Sequence, residues 1–190
     1  AQGQARWAED DLVKHARFVL AAITLDGGAS EPQAERVLPA KITATRPHLL
    51  SFLHDLWPGR AEAMGGDEYI AAIEPDLLGE AMVRRCLQHS GRAVFLAALD
   101  GATQDQMRHA YLVLGRICES NRHEESLIKL AARCLRESLD TDAQARAVAA
   151  CEATLALVES ARDAEAGSFR PKMAEILLDT LESLGTPELA

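Results

Sequence analysis

Apolar side chains recur along this chain at intervals of three and four residues, and no stretch alternates for long. That periodicity restricts the chain to a mainly α fold. Leu and Ala supply most of the 48% apolar fraction, and aromatics only 4%. Both residues lose little on entering a helix, whereas the β-branched residues that favour strands are scattered singly.

The stripes divide the first half into helices. Leu12, Val13, Ala16, Val19, Leu20 and Ile23 mark a helix over 10–25, stopped by Asp26-Gly27-Gly28. A short helix is expected over 31–38, with Pro32 early and Pro39 ending it. Pro47 opens a third helix, on which Leu49, Leu50, Leu53, Leu56 and Trp57 form one face before Pro58-Gly59 breaks it. Residues 58–68 are turn-rich, and Tyr69–Ile73 is the best strand candidate, with a weak partner near 56–61. Pro75 holds Glu74 extended and presets a helix over 76–88. Three helices, a Gly-rich hairpin and a closing helix make a winged-helix pattern, assigned to a domain over 1–90.

The second half, 91–190, reads as antiparallel helical hairpins. Thr103, Asn121 and Thr141 each stand three residues before a Gln or Glu and are expected to cap a helix. The stripes that follow are Met107, Ala110, Tyr111, Leu114; then Leu127, Ala131, Cys134, Leu135; then Ala147, Ala150, Cys151, Leu155, Val158. A last helix carries Met173, Ile176, Leu177, Leu181 and Leu184, and ends at Gly185. The caps at 103 and 141 are spaced like one repeat of the tetratricopeptide or HEAT size. Leu177, Leu181 and Leu184 are interaction candidates, because the last helix of a stack has no following partner to cover its stripe.

Charge and motifs narrow the function. The net charge is −9, and both halves are acidic, so neither nucleic acid nor an anionic membrane is the expected partner. No apolar run is long enough for a bilayer span, and the first residues are polar and acidic, unlike a leader peptide. Cys86, Cys118, Cys134 and Cys151 include no Cys-x-x-Cys pair, and the last three lie on apolar stripes, which suits buried thiols in a reducing cytoplasm. The histidines form no pair with metal-ligand spacing. No phosphate loop, dinucleotide fingerprint or nucleophile elbow is present. The expectation is a non-enzymatic chain with no cofactor and no metal.

One segment carries a family likeness. Tyr69-Ile70-Ala71-Ala72-Ile73-Glu74-Pro75-Asp76-Leu77-Leu78-Gly79-Glu80 resembles the end of the winged-helix module of bacterial STAND NTPases, the NACHT-like and NB-ARC-like signalling ATPases. Val19–Gly28 is similar to that module's first helix, and Leu56-Trp57-Pro58-Gly59 to the turn into its wing. The likeness covers most of residues 10–118 and loosely the rest. It implies a regulatory segment that couples a nucleotide-binding core, absent from this chain, to a helical sensor, with a protein, that core or a second copy as partner. It also implies two nucleotide-sensing candidates in a full-length context. His54 lies in Leu53-His54-Asp55-Leu56, which resembles the Met-His-Asp motif of eukaryotic relatives. Asp76 lies in the turn equivalent to that motif by topology, where Pro75 replaces the histidine. The alternatives are a free-standing helical scaffold or adaptor, and a winged-helix DNA-binding regulator whose recognition helix, Pro47–Trp57, contains no Lys or Arg.

Overall fold

The computed structural model describes residues 2–38, 46–59, 67–73, 76–141, 143–164 and 172–185. Among these, nine helices account for nearly all regular structure: α1 (Gln2–Asp26), α2 (Glu31–Arg36), α3 (Arg46–Leu56), α4 (Asp76–Ser90), α5 (Ala93–Leu99), α6 (Gln104–Ser120), α7 (Glu125–Thr141), α8 (Ala143–Ala164) and α9 (Lys172–Gly185). The protein is mainly α, as its periodicity requires. The helices group into two compact units, Ala1–Ala102 and Thr103–Ala190.

In the first unit α1 is central. Every residue from Val19 to Asp26 is buried, because α3, α4 and α5 all pack on this helix. Such all-round burial needs small or apolar side chains on every face, and Val19-Leu20-Ala21-Ala22-Ile23 supplies them. The helix stops at Gly27 and Gly28, which take φ of 78° and 117°, backbone that other residues enter only with strain. The sequence boundary at 90/91 separates α5 from this unit, but Val94, Phe95, Ala98 and Leu99 are buried and α5 packs on α1 and α4. The Arg36 side chain also donates to the Gly101 carbonyl at 2.7 Å, tying the end of α2 to the far end of the unit.

The expected hairpin of strands over 69–73 and 56–61 is reduced to isolated bridges among the described residues. Ile70 pairs antiparallel with Pro58 on one side and with Ala29 on the other. Its backbone N–H donates to Ala29 O at 3.0 Å, and Ala71 N–H to Trp57 O at 3.0 Å. The partner at Ala29 has no sequence signal, since it is a single residue between a turn and α2. The hairpin tip over 60–66 lies outside the described residues. Pro58 has no N–H to give, which limits pairing along that edge.

The second unit contains α6 to α9. All six pairs of these helices touch, α6 and α9 included. That closure is the pattern of a four-helix bundle, whereas in an open stack of hairpins the outer helices stand apart. Thr103 caps α6 as read, with Gln106 N–H donating to Thr103 Oγ1 at 3.3 Å and the Gln106 side chain accepting from Thr103 N–H at 3.0 Å. The other two caps differ. Asn121 closes α6, its side-chain amide donating to the Ile117 carbonyl at 2.8 Å. Thr141 is the last residue of α7 rather than the cap of the next helix. The buried stripe of α8 runs through Arg146, Ala149, Ala150, Ala153, Thr154 and Leu157, one position away from the face expected. Cys151 and Leu155 are therefore exposed. Gly115 of α6 faces Leu157 and Met173, and small residues on α8 let the two backbones approach, so the alanines face inward and the bulkier side chains turn out.

Candidate functional site

The end of the Pro-Asp-Leu-Leu-Gly-Glu segment is described from Asp76 onward, and it sorts its residues sharply. Gly79 is buried, and a Cβ there would lie 2.7 Å from the Ile73 carbonyl oxygen and 3.0 Å from Thr24 Cγ2. Only glycine permits that approach of α4 to the end of α1. Thr24 completes the junction: its hydroxyl donates to Leu20 O at 2.7 Å and accepts from Ile73 N–H at 3.3 Å. Leu77 and Leu78, by contrast, are 77% and 58% exposed. Two adjacent leucines held out at a helix start are uncovered apolar surface on a rigid support.

From that point α4 runs antiparallel to α1. Gly79 lies beside Thr24, and Cys86 Sγ donates to Arg17 O at 3.4 Å, so seven residues up α4 match seven residues down α1. A groove of about 400 Å3 lies along this pair, within the roughly 300–1,000 Å3 of small-molecule sites. Leu78, Ala81 and Met82 line one end, and Arg17, Lys14, Arg85 and His89 the other. No carboxylate lines it among the described residues. Cys86 forms part of the wall, and burial pushes its thiol up, against the opposing pull of Arg17 and Arg85; the sulfur stays neutral and apolar in character. This groove has no signature in a linear reading, because its lining comes from two helices about 60 residues apart.

The residues singled out from sequence lie elsewhere and are not brought together. His54 sits on α3 with its ring stacked on Tyr69, centroids 4.2 Å apart and planes 4° from parallel. Its Nδ1 donates to the Tyr69 carbonyl at 2.6 Å. His54 thus fastens α3 to the segment that carries Ile70. Asp76 opens α4; its side chain lies outside the described residues. On α9, Leu177 is buried and Leu181 is 39% exposed, beside Leu178 at 50%. Leu184 is within α9, with its side chain outside the described residues. The two described interaction candidates therefore have opposite surroundings. Leu177→Ser should destabilise the second unit by about 3 kcal/mol, through a lost apolar contact and a buried hydroxyl. Leu181→Ser should change stability by no more than about 0.5 kcal/mol. Urea unfolding of the two variants checks this, and equal losses would place Leu181 in the core.

Two buried polar features complete the inventory. Asp26 is 8% exposed, and its Oδ1 has no hydrogen-bond partner. Burial raises its carboxyl to about 8, with Arg36 pulling the other way. In the second unit, Tyr111 OH and Ser138 Oγ lie 2.8 Å apart, Ser138 Oγ donates to Leu135 O at 2.7 Å, and Arg146 Nη1 donates to Ser138 O at 3.1 Å. Arg146 places its charge against the closing carbonyls of α7, where the helix dipole favours a cation. Among the described residues, no group of three or more His, Cys, Asp or Glu is placed to hold a metal ion, and no helix is long and apolar enough to cross a membrane. Comparison with known family models, curated proteins and solved structures gives no match to this chain.

Proposed function

We propose that this chain is a non-catalytic regulatory and protein-interaction segment of a STAND-type signalling NTPase. The first unit acts as a winged-helix lever and the second as a four-helix recognition unit, while nucleotide is bound by a core outside this chain. The observation that carries the reading is the division of labour in Asp76-Leu77-Leu78-Gly79. The glycine locks α4 onto α1 and the Ile73 segment, while Leu77 stands almost fully in solvent. A lever needs both properties: a rigid root and an uncovered contact for the part it moves. The order of elements supports the same reading, with Ile70 paired between Ala29 and Pro58 ahead of a closing helix.

The DNA-binding alternative rests on α3, and the exposed side chains described there are His48, Ser51, Phe52, Asp55 and Leu56. Arg46 stands at the first position of this helix, one residue before the start read from sequence. Phe52 and Leu56, both about half exposed, form an i, i+4 apolar pair that suits a protein surface and contacts no phosphate. Fluorescence anisotropy with duplex DNA at physiological salt should give a Kd weaker than about 10 μM, with no steep salt dependence. Submicromolar binding would return the DNA reader to first place. The NTPase reading itself is tested in the reading frame upstream of Ala1, which should encode a phosphate loop. In that longer protein, Leu77→Ser should alter nucleotide turnover. A frame without a phosphate loop would leave the helical scaffold or adaptor as the better account.

A further inference from the structure

We propose that the groove between α1 and α4 binds an anionic amphiphile, an acyl-chain carboxylate of medium length, with its tail along Leu78, Ala81 and Met82 and its head among Arg17, Arg85, Lys14 and His89. Three observations lead here, none of them dependent on the NTPase reading. First, the lining is segregated along the groove. The antiparallel register that sets Gly79 by Thr24 and Cys86 by Arg17 puts Lys14 and Arg17 beside the late residues of α4, next to Arg85 and His89. Among the described residues, the apolar trio then occupies the other end. Second, the local charge opposes the global one: the chain carries −9, yet the described lining has cations and no carboxylate. A protein that repels anions overall and gathers cationic side chains at one mouth selects an anion there. Third, the dimensions match. Leu78 and His89 are eleven residues apart on α4, roughly 16 Å at ~1.5 Å per residue, which suits an extended chain of moderate length with a head group. Leu78 is 58% exposed and Cys86 buried, so a tail laid against Leu78 removes apolar surface from water without displacing the core.

An acidic amphipathic peptide helix is the rival occupant. It needs apolar contacts on both helices along the full length, whereas α1 lines the groove with Lys14 and Arg17.

The test is calorimetric titration of the whole chain with decanoate, decanol and hexanoate, each below its aggregation concentration. Decanoate is expected to saturate one site. Decanol, lacking the charge, and hexanoate, lacking four methylenes, should each bind at least tenfold more weakly. Arg85 is exposed, so Arg85→Glu should fold normally by circular dichroism. It should weaken decanoate at least tenfold and leave decanol within twofold. Leu78→Asp should abolish decanoate binding through the tail end of the groove. Decanol binding as tightly as decanoate, decanoate affinity unchanged in Arg85→Glu, or no saturable decanoate binding would each overturn the proposal. Capture of an acidic amphipathic peptide without decanoate binding would overturn it in favour of the rival. Leu77 lies outside the groove lining, so Leu77→Ser leaves this titration unchanged and separates it from the lever reading.

Discussion

Asp26→Asn is expected to stabilise the first unit by about 3 kcal/mol at pH 9 and by less than about 1 kcal/mol at pH 4. The carboxyl stands at the buried end of α1, where the helix's own carbonyls add negative potential and Oδ1 has no partner. Burial moves it from the usual 3.8 to about 8. Below pH 3.8 both the folded and unfolded chains hold the proton, and nothing is lost. Between there and pH 8 the unfolded chain releases a proton that the folded chain keeps, so stability falls by about 1.4 kcal/mol per pH unit. Above pH 8 both are ionised and the loss levels off, on the order of 5 kcal/mol before local relaxation and water entry reduce it. Asparagine removes the titration while keeping the shape. Chemical denaturation of both proteins across this range gives the answer, and a difference independent of pH would show that the carboxyl is ionised and satisfied throughout.

Gly115→Leu should destabilise the second unit by about 3 kcal/mol or more. Even a bare Cβ at this position would overlap Leu157 Cδ1 and come within 3.5 Å of Met173 Cβ, so a full leucine must push α8 or α9 away. Gly115→Ala divides the effects: the helix gains about 1 kcal/mol in propensity, and the Leu157 side chain gives way at similar cost, leaving stability nearly unchanged. Combining Gly115→Leu with Leu157→Ala should restore at least 1 kcal/mol relative to the sum of the single changes. Additive losses would mean the two positions do not share a contact.

The helices were legible because period is a local property, and amphipathic stripes such as that of α6, with Met107, Ala110, Tyr111 and Leu114 all buried, announce themselves. The errors have a common physical origin. The face of α8 was misjudged because hydrophobicity ranks Leu155 and Cys151 above Ala149 and Ala153, while close packing against Gly115 ranks them below. Asn121 and Thr141 belong to helix ends, but a side chain that caps an N-terminus can also finish a C-terminus, and the letters do not say which. Thr103 does cap its helix, with the Gln106 side chain accepting from its N–H at 3.0 Å, and Ser30, absent from the expected caps, is met in the same way by Gln33 at 2.8 Å. The groove was invisible for the reason that α1 and α4 meet only after the chain has turned through α2, α3 and the Ile70 segment. Asp26 read as a helix stop with glycines behind it, and nothing in a linear pattern distinguishes a solvated aspartate from an enclosed one.

The central position of α1 also sets the order of events during synthesis. Within the first unit this helix leaves the ribosome before the helices that cover it, with apolar side chains on every face between Val19 and Leu25, and the last of those helices ends at Leu99. At about 5–20 residues per second the segment waits roughly 4 to 15 s for its lid. Throughout that interval it presents a continuous sticky surface to other nascent chains. The second unit has a wait of the same kind, since α9, which packs on α6, ends only at Gly185. Slowed translation over α4 and α5 is therefore expected to lower the soluble yield of this protein.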